Sequence, residues 1–152
     1  MANLKSSFQN IIRTQNDIAP TIARVTAGLV MLPHGLQKTL GWFGGYGFSG
    51  TMDYFTGTGL PWIAALLVVL GESLGALGLI TGTLSRVAAF GFVSIMTGAI
   101  FMGHAEHGFF MNWYGAQQGE GFEYHLLMIG LAVIVLIKGS GAFSIDRALV
   151  KD

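Results

Sequence analysis

The chain has 152 residues, 52% of them hydrophobic and only 11% charged, a balance far from that of an ordinary water-soluble domain. Eight basic and eight acidic residues cancel, so no bulk attraction to nucleic acid is expected. Cysteine is absent, which excludes disulfides, thiol redox chemistry, iron–sulfur clusters held by the chain and covalently attached haem.

In residues 1–19, Leu4, Phe8, Ile11 and Ile12 recur at helical spacing with Lys5 and Arg13 among them, a pattern that suits a short helix in the membrane interface or a partly ordered tail. No basic tip leads into an apolar stretch and no small-residue cleavage site is present, so the segment is read as retained. Four stretches then approach the roughly 20 residues that cross a bilayer: 20–40, 61–81, 85–103 and 122–138. Pro20 and Pro61 suit helix starts, while Pro33 interrupts the first span and predicts a kink. Residues 82–84 are so short a link that the second and third spans must be antiparallel neighbours. The other two links are long and rich in glycine and aromatics.

Lys5, Arg13, Arg24, Arg86, Lys138, Arg147 and Lys151 gather at one side and Lys38 alone lies at the other. The positive-inside rule then puts both termini in the cytoplasm, with Trp42, Trp62, Trp113, Tyr54 and Tyr114 as aromatic anchors at the outer face. The expected fold is therefore all-α: an integral membrane four-helix bundle, multi-pass in the inner membrane of a bacterium or archaeon. Residues 1–19 form its interfacial segment, 20–147 the four-helix domain and 148–152 a tail.

On this topology the histidines and in-membrane carboxylates converge on the outer half. His34 and Lys38, four apart, share a helix face. Glu72 lies eleven residues into the second span, about 16 Å deep at 1.5 Å per residue. A carboxylate at that depth is costly, and needs a partner or a wet cavity; His34, Lys38 and Arg24 are the candidates. A structural ion pair locking the helices is the plain alternative. Gly71, Gly75, Gly78 and Gly82 form small-xxx-small steps beside Glu72, which favour close helix packing and would equally serve a planar ligand lying on bare backbone at Gly75. His104 and His107 end the third span as His-x-x-His, and Glu123 with His125 opens the fourth; these four residues are a candidate metal set, with interfacial hydrogen bonding or proton relay as the competing use. Glu106 and Glu120 read as solvated loop charges. In the ending Gly139 to Asp146, the glycines stop the last span, and Ser144 or Asp146 can cap the chain's final turn.

Four motifs in order resemble the DoxX family of small four-helix membrane proteins, over nearly the whole chain from about Arg24 to Arg147. They are His34-Gly35-Leu36-Gln37-Lys38, then Gly71-Glu72-Ser73-Leu74-Gly75 running to Gly78 and Gly82, then His104, then Gly139-x-Gly141-x-x-Ser144-x-Asp146. Ala142-Phe143 departs from the more basic endings common in that family. The resemblance implies a redox association, similar to the small subunit of archaeal thiosulfate:quinone oxidoreductase, and a polar cluster of His34, Lys38, Glu72 and His104. The expectation is a membrane redox component working with quinone at the outer half of the bilayer. His34 or His104 would exchange a proton with a quinone oxygen, Glu72 would relay it and Lys38 would steer anionic charge. A non-catalytic accessory subunit of a larger electron-transfer complex, and a small-molecule or ion carrier, stay open beside it. So do a homo-oligomer, and a bound metal or haem.

Overall fold

The computed structural model describes residues 2–150, and among them all regular structure is helical. Lys151 and the side chains of Leu4 and Lys5, which entered the topology argument, lie outside the described residues. Helix α1 covers Ala2–Ile12, and α2 covers Ile18–Leu40. Asp17 caps α2 by accepting from Ala19 N at 2.9 Å, and Gly41 ends it at φ 72, a left-handed angle that favours glycine. Despite Pro33, α2 is one continuous helix.

The first long link, rich in glycine and aromatics, contains regular structure. It makes a 3₁₀ turn at Trp42–Gly44 and then helix α3, Gly47–Gly57. Three glycines argue locally against that helix, but Met52 is buried against Ala65 and Val69, and packing outweighs propensity. Helix α4, Trp62–Thr81, turns sharply at Gly82 into α5, Ser85–His107, which outruns its expected end by one turn; α6 is Glu123–Lys138 and α7 Ile145–Leu149. Both α4 and α5 contain one π-helical turn, at Gly71–Gly75 and Ile100–His104.

The four long rods close a ring. Gly28 faces Ala76 and Ile80, and Gly35 faces Glu72 and Ser73, so α2 runs antiparallel to α4. The His104 ring lies against that of His125 while Arg86 donates to the Ile137 carbonyl, so α5 runs antiparallel to α6. The interior is built of small side chains, Ala23, Ala27, Ala76, Ala89 and Ala132, with Met31, Leu79, Phe92 and Val135 filling between them. The large apolar residues point outward: Phe90, Phe101, Leu127 and Ile137 are each about two-thirds exposed or more. Small inside and large outside is the pattern of helices that pack in lipid, where apolar surface gains nothing by hiding from the solvent. By length and mean hydropathy, α4 (2.2) and α5 (1.6) qualify as spans among the described residues. The other two rods differ in kind: α2 carries Arg24, His34 and Lys38, and α6 has 16 residues, about 24 Å.

At the end of the ring that holds both the start of α2 and the segment after α6, Arg24 is 1% exposed. It is not a partner of Glu72. Its guanidinium donates to the carbonyls of Ser140 (2.7 Å), Leu79 (2.8 Å), Ile80 (2.6 Å), Ala142 (3.3 Å) and Phe143 (2.7 Å). Leu79 and Ile80 are seven and eight residues from Glu72 along α4, about 11 Å. Because Ala142 and Phe143 contribute only backbone oxygens here, the departure of their side chains from the family pattern leaves this cage intact. Asp146 is also buried, and it caps backwards: its carboxylate accepts from Leu84 N (2.7 Å), Ser85 N (3.0 Å) and the Ser140 hydroxyl, closing the start of α5. Ser144 takes the forward role, accepting from Arg147 N at the start of α7.

Candidate functional site

Glu72 sits inside the π turn of α4, where one extra residue per turn widens the backbone and redirects the side chain inward. The neighbouring helix approaches that turn unusually closely. A Cβ on Gly35 would fall on the Glu72 carbonyl and 2.6 Å from Ser73 Cα, so only glycine fits between the two backbones. One turn further along α2, Lys38 reaches back and its Nζ lies 2.6 Å from Glu72 Oε2. The pair is mostly withdrawn from the surface, with side-chain exposures of 22% and 8%. A carboxylate this deep is tolerable because it is paired.

His34, Tyr124, His125 and His104 surround the pair. His34 lines the cavity beside it, with its ring centroid 6.4 Å from that of Tyr124 on α6. The Glu72 carboxylate interacts electrostatically with both His34 and Tyr124. His104 ends the π turn of α5, and its ring lies 4.1 Å from that of His125. Its Nδ1 is 2.8 Å from the Glu120 carbonyl; since a carbonyl only accepts, Nδ1 carries a proton, which leaves Nε2 as the nitrogen able to take up or give another. Around the ion pair, Tyr124 Oη and His125 Nδ1 are buried with no hydrogen-bond partner among the described residues, whereas Glu72 Oε2 has the Lys38 ammonium beside it. Buried polar atoms are costly to leave unmet, so the tyrosine and histidine atoms mark where a polar ligand atom fits. Tyr124 was not among the residues singled out from the sequence. The available signal was its place one residue inside Glu123, deeper than the aromatics of the rim.

The structure separates the proposed metal set. His104 and His125 are together, but Glu123 is turned to the outer loop, where it accepts from Met111 N and the Trp113 indole, both at 2.9 Å. His107 packs over Gly119, with Glu106 at 3.6 Å. Among the described residues no group of three or more His, Cys, Asp or Glu is arranged to hold a metal ion. Glu120, expected as a solvated charge, ties the same loop by accepting from Asn112 N at 2.7 Å.

His34, Lys38, Glu72, His104, Tyr124 and His125 all line one cavity of about 1500 Å³. Its remaining wall is largely apolar and comes from α3, α4 and α5, with Gly75 on it where α4 meets Phe92. A charged, hydrogen-bonding cluster at one side of an apolar chamber suits a molecule with a polar, proton-exchanging head and an apolar body.

The chain is 28% identical to "Inner membrane protein YqjF" of Escherichia coli over 135 residues, 89% of this chain and 95% of that protein. It is 28% identical to "Inner membrane protein YphA" of the same organism, covering 83% of this chain and 86% of that one. It is also 28% identical to "Putative oxidoreductase CatD" of Bacillus subtilis, covering 89% and 90%. No solved structure matches it. The family model described as DoxX matches residues 19–105, the stretch that contains Gly35, Lys38, Glu72 and His104 and more than half of the chain; this protein therefore belongs to the DoxX family of membrane proteins.

Proposed function

We propose that the protein is a quinone-linked redox component of the inner membrane, with all four long rods crossing the bilayer and both termini in the cytoplasm. One observation carries the reading: a paired lysine and carboxylate, two contacting imidazoles and an unpartnered tyrosine hydroxyl share the polar side of a chamber whose other walls are apolar. The redox class is supported by the likeness to CatD and the membrane by the likeness to YqjF and YphA.

A quinone, when bound, supplies the electron and proton carrier that a chain without cysteine lacks. The protein's own groups do the rest. Tyr124 Oη and His125 Nδ1 are the unmet groups that would hold ring oxygens, and Gly75 presents bare backbone to a flat ring. His104, its Nδ1 proton held by the Glu120 carbonyl, offers Nε2 for proton exchange. Lys38 and Glu72, within hydrogen-bonding distance, share a proton-exchangeable pair whose charge is kept near neutral. The apolar walls exclude bulk water from these groups.

The test is Glu72→Gln in protein purified from membranes. Quinone in the extracted lipid and quinone-dependent turnover should both fall by about tenfold or more while the protein remains folded. Wild-type levels of both would overturn the reading.

A further inference from the structure

The polar cluster is reached through the side of the bundle. Residues Gly71–Gly75 of α4 pack against α2 and α5, whereas the outer part of α4, Trp62–Leu70, leans on α2 and α3. The chamber extends into the space this leaves, bounded by Leu67 and Gly71 on α4 and by Ile95, Gly98 and Met102 on α5. Gly71 and Gly98 border it differently: the first is covered by a side chain of α5 and the second is bare. A Cβ on Gly71 would come 2.5 Å from Ile95 Cδ1, so Ile95 lies directly over that glycine. A Cβ on Gly98 would meet nothing within 4 Å, and the same is true of Gly91, two turns along the same face of α5. Both line the chamber, so their missing side chains leave empty volume in it. At the other side of this volume, His125 is 6% exposed with an unpartnered Nδ1, and Glu72 is equally buried. An opening in the apolar flank that leads to unmet polar atoms is a route for a ligand that arrives from the lipid.

We infer that the ligand is a lipid-dissolved quinone bearing a long apolar tail, that it enters between α4 and the outer half of α5, and that its tail leaves the chamber past Gly71, Ile95 and Gly98. This rests on the quinone reading above and adds the class of quinone and its path. The selectivity is steric. A tail lies in apolar surroundings whether it is in the groove or in lipid, so the groove contributes little by burial; it contributes room for the tail while the head is seated. Filling that room raises the cost of seating any tailed molecule by overpacking and leaves a bare ring unaffected.

Gly98→Phe tests this, because its side chain begins in open space and disturbs no packed neighbour. Wild-type and variant protein in nanodiscs would be titrated with a polyisoprenyl benzoquinone and with the same ring carrying a methyl group in place of the tail. Expected is a loss of about tenfold or more in affinity for the tailed quinone and a change under about twofold for the methyl compound. Equal thermal midpoints of wild type and variant would show that the fold is kept. Unchanged affinity of Gly98→Phe for the tailed quinone, or an equal loss for both, would overturn the portal. Failure of the quinone reading looks different: the wild type would bind neither compound, or Glu72→Gln would bind both as well as the wild type does.

Discussion

Gly35 and Glu72 touch backbone to backbone, with no side chain between α2 and the π turn of α4. That contact sets how far Lys38 has to reach, and so links a glycine with no chemistry of its own to the ion pair beside it. Gly35→Ala is expected to destabilise the protein by ~2 kcal/mol, because the added methyl meets backbone that has no rotamer to yield. Thermal unfolding in mild detergent measures it. Gly98→Ala is the control, with an expected change near zero, since its Cβ has open space around it.

Breaking the ion pair from one side should cost more than removing it altogether. Lys38→Met leaves a buried carboxylate unpaired and is expected to lose about 3 kcal/mol, whereas Lys38→Met combined with Glu72→Gln should recover most of that loss. A double-mutant cycle by chemical unfolding reads the coupling. Equal stability of the single and double variants would mean that Glu72 holds its charge without Lys38.

Tyr124→Phe separates binding from stability. The hydroxyl bonds to nothing among the described residues, so its removal should leave the thermal midpoint unchanged or slightly higher. Quinone affinity, measured by titration in nanodiscs, should fall by about tenfold, the worth of one hydrogen bond in a dry site.

The absence of cysteine makes the topology simple to read. Tyr114→Cys, at a position 96% exposed in the loop beyond His107, should react with a membrane-impermeant maleimide added to intact cells stripped of their outer membrane. Phe143→Cys, 85% exposed at the opposite end of the bundle, should react only after the membrane is opened. The reverse pattern would turn the protein over in the bilayer.

How much of this was legible beforehand depended on whether a residue's meaning lay in itself or in its neighbour. Glu72 announces itself, because a carboxylate in an apolar run has few uses; depth and topology left His34, Lys38 and Arg24 as its candidate partners, and the close approach at Gly35 brings Lys38 to it. The four rods were readable from apolar length, although α2 and α6 are less apolar or shorter than the standard span. The helix within residues 47–57 was not readable, because its glycines argue against helix and only contact with Ala65 and Val69 reverses that argument. Arg24 was equally opaque, since every one of its acceptors is a backbone carbonyl, and any sequence has those everywhere. The division of the metal candidates could not be foreseen either: it turns on an outer loop that draws Glu123 toward Met111 and Trp113.

The carbonyl cage around Arg24 also imposes an order on the making of the protein. Two of its acceptors, Leu79 and Ile80, come after the arginine by 55 and 56 residues, but the first of the others, Ser140, comes 116 residues later. At the pace of synthesis that interval is roughly ten seconds, during which a guanidinium already delivered to the membrane has only part of its coordination. Helices α2 and α4 can meet early, but they cannot be locked until the residues beyond α6 have been translated. A ribosome that stops just short of Ser140 would release four complete rods and still leave a cation in their midst lacking Ser140, Ala142 and Phe143.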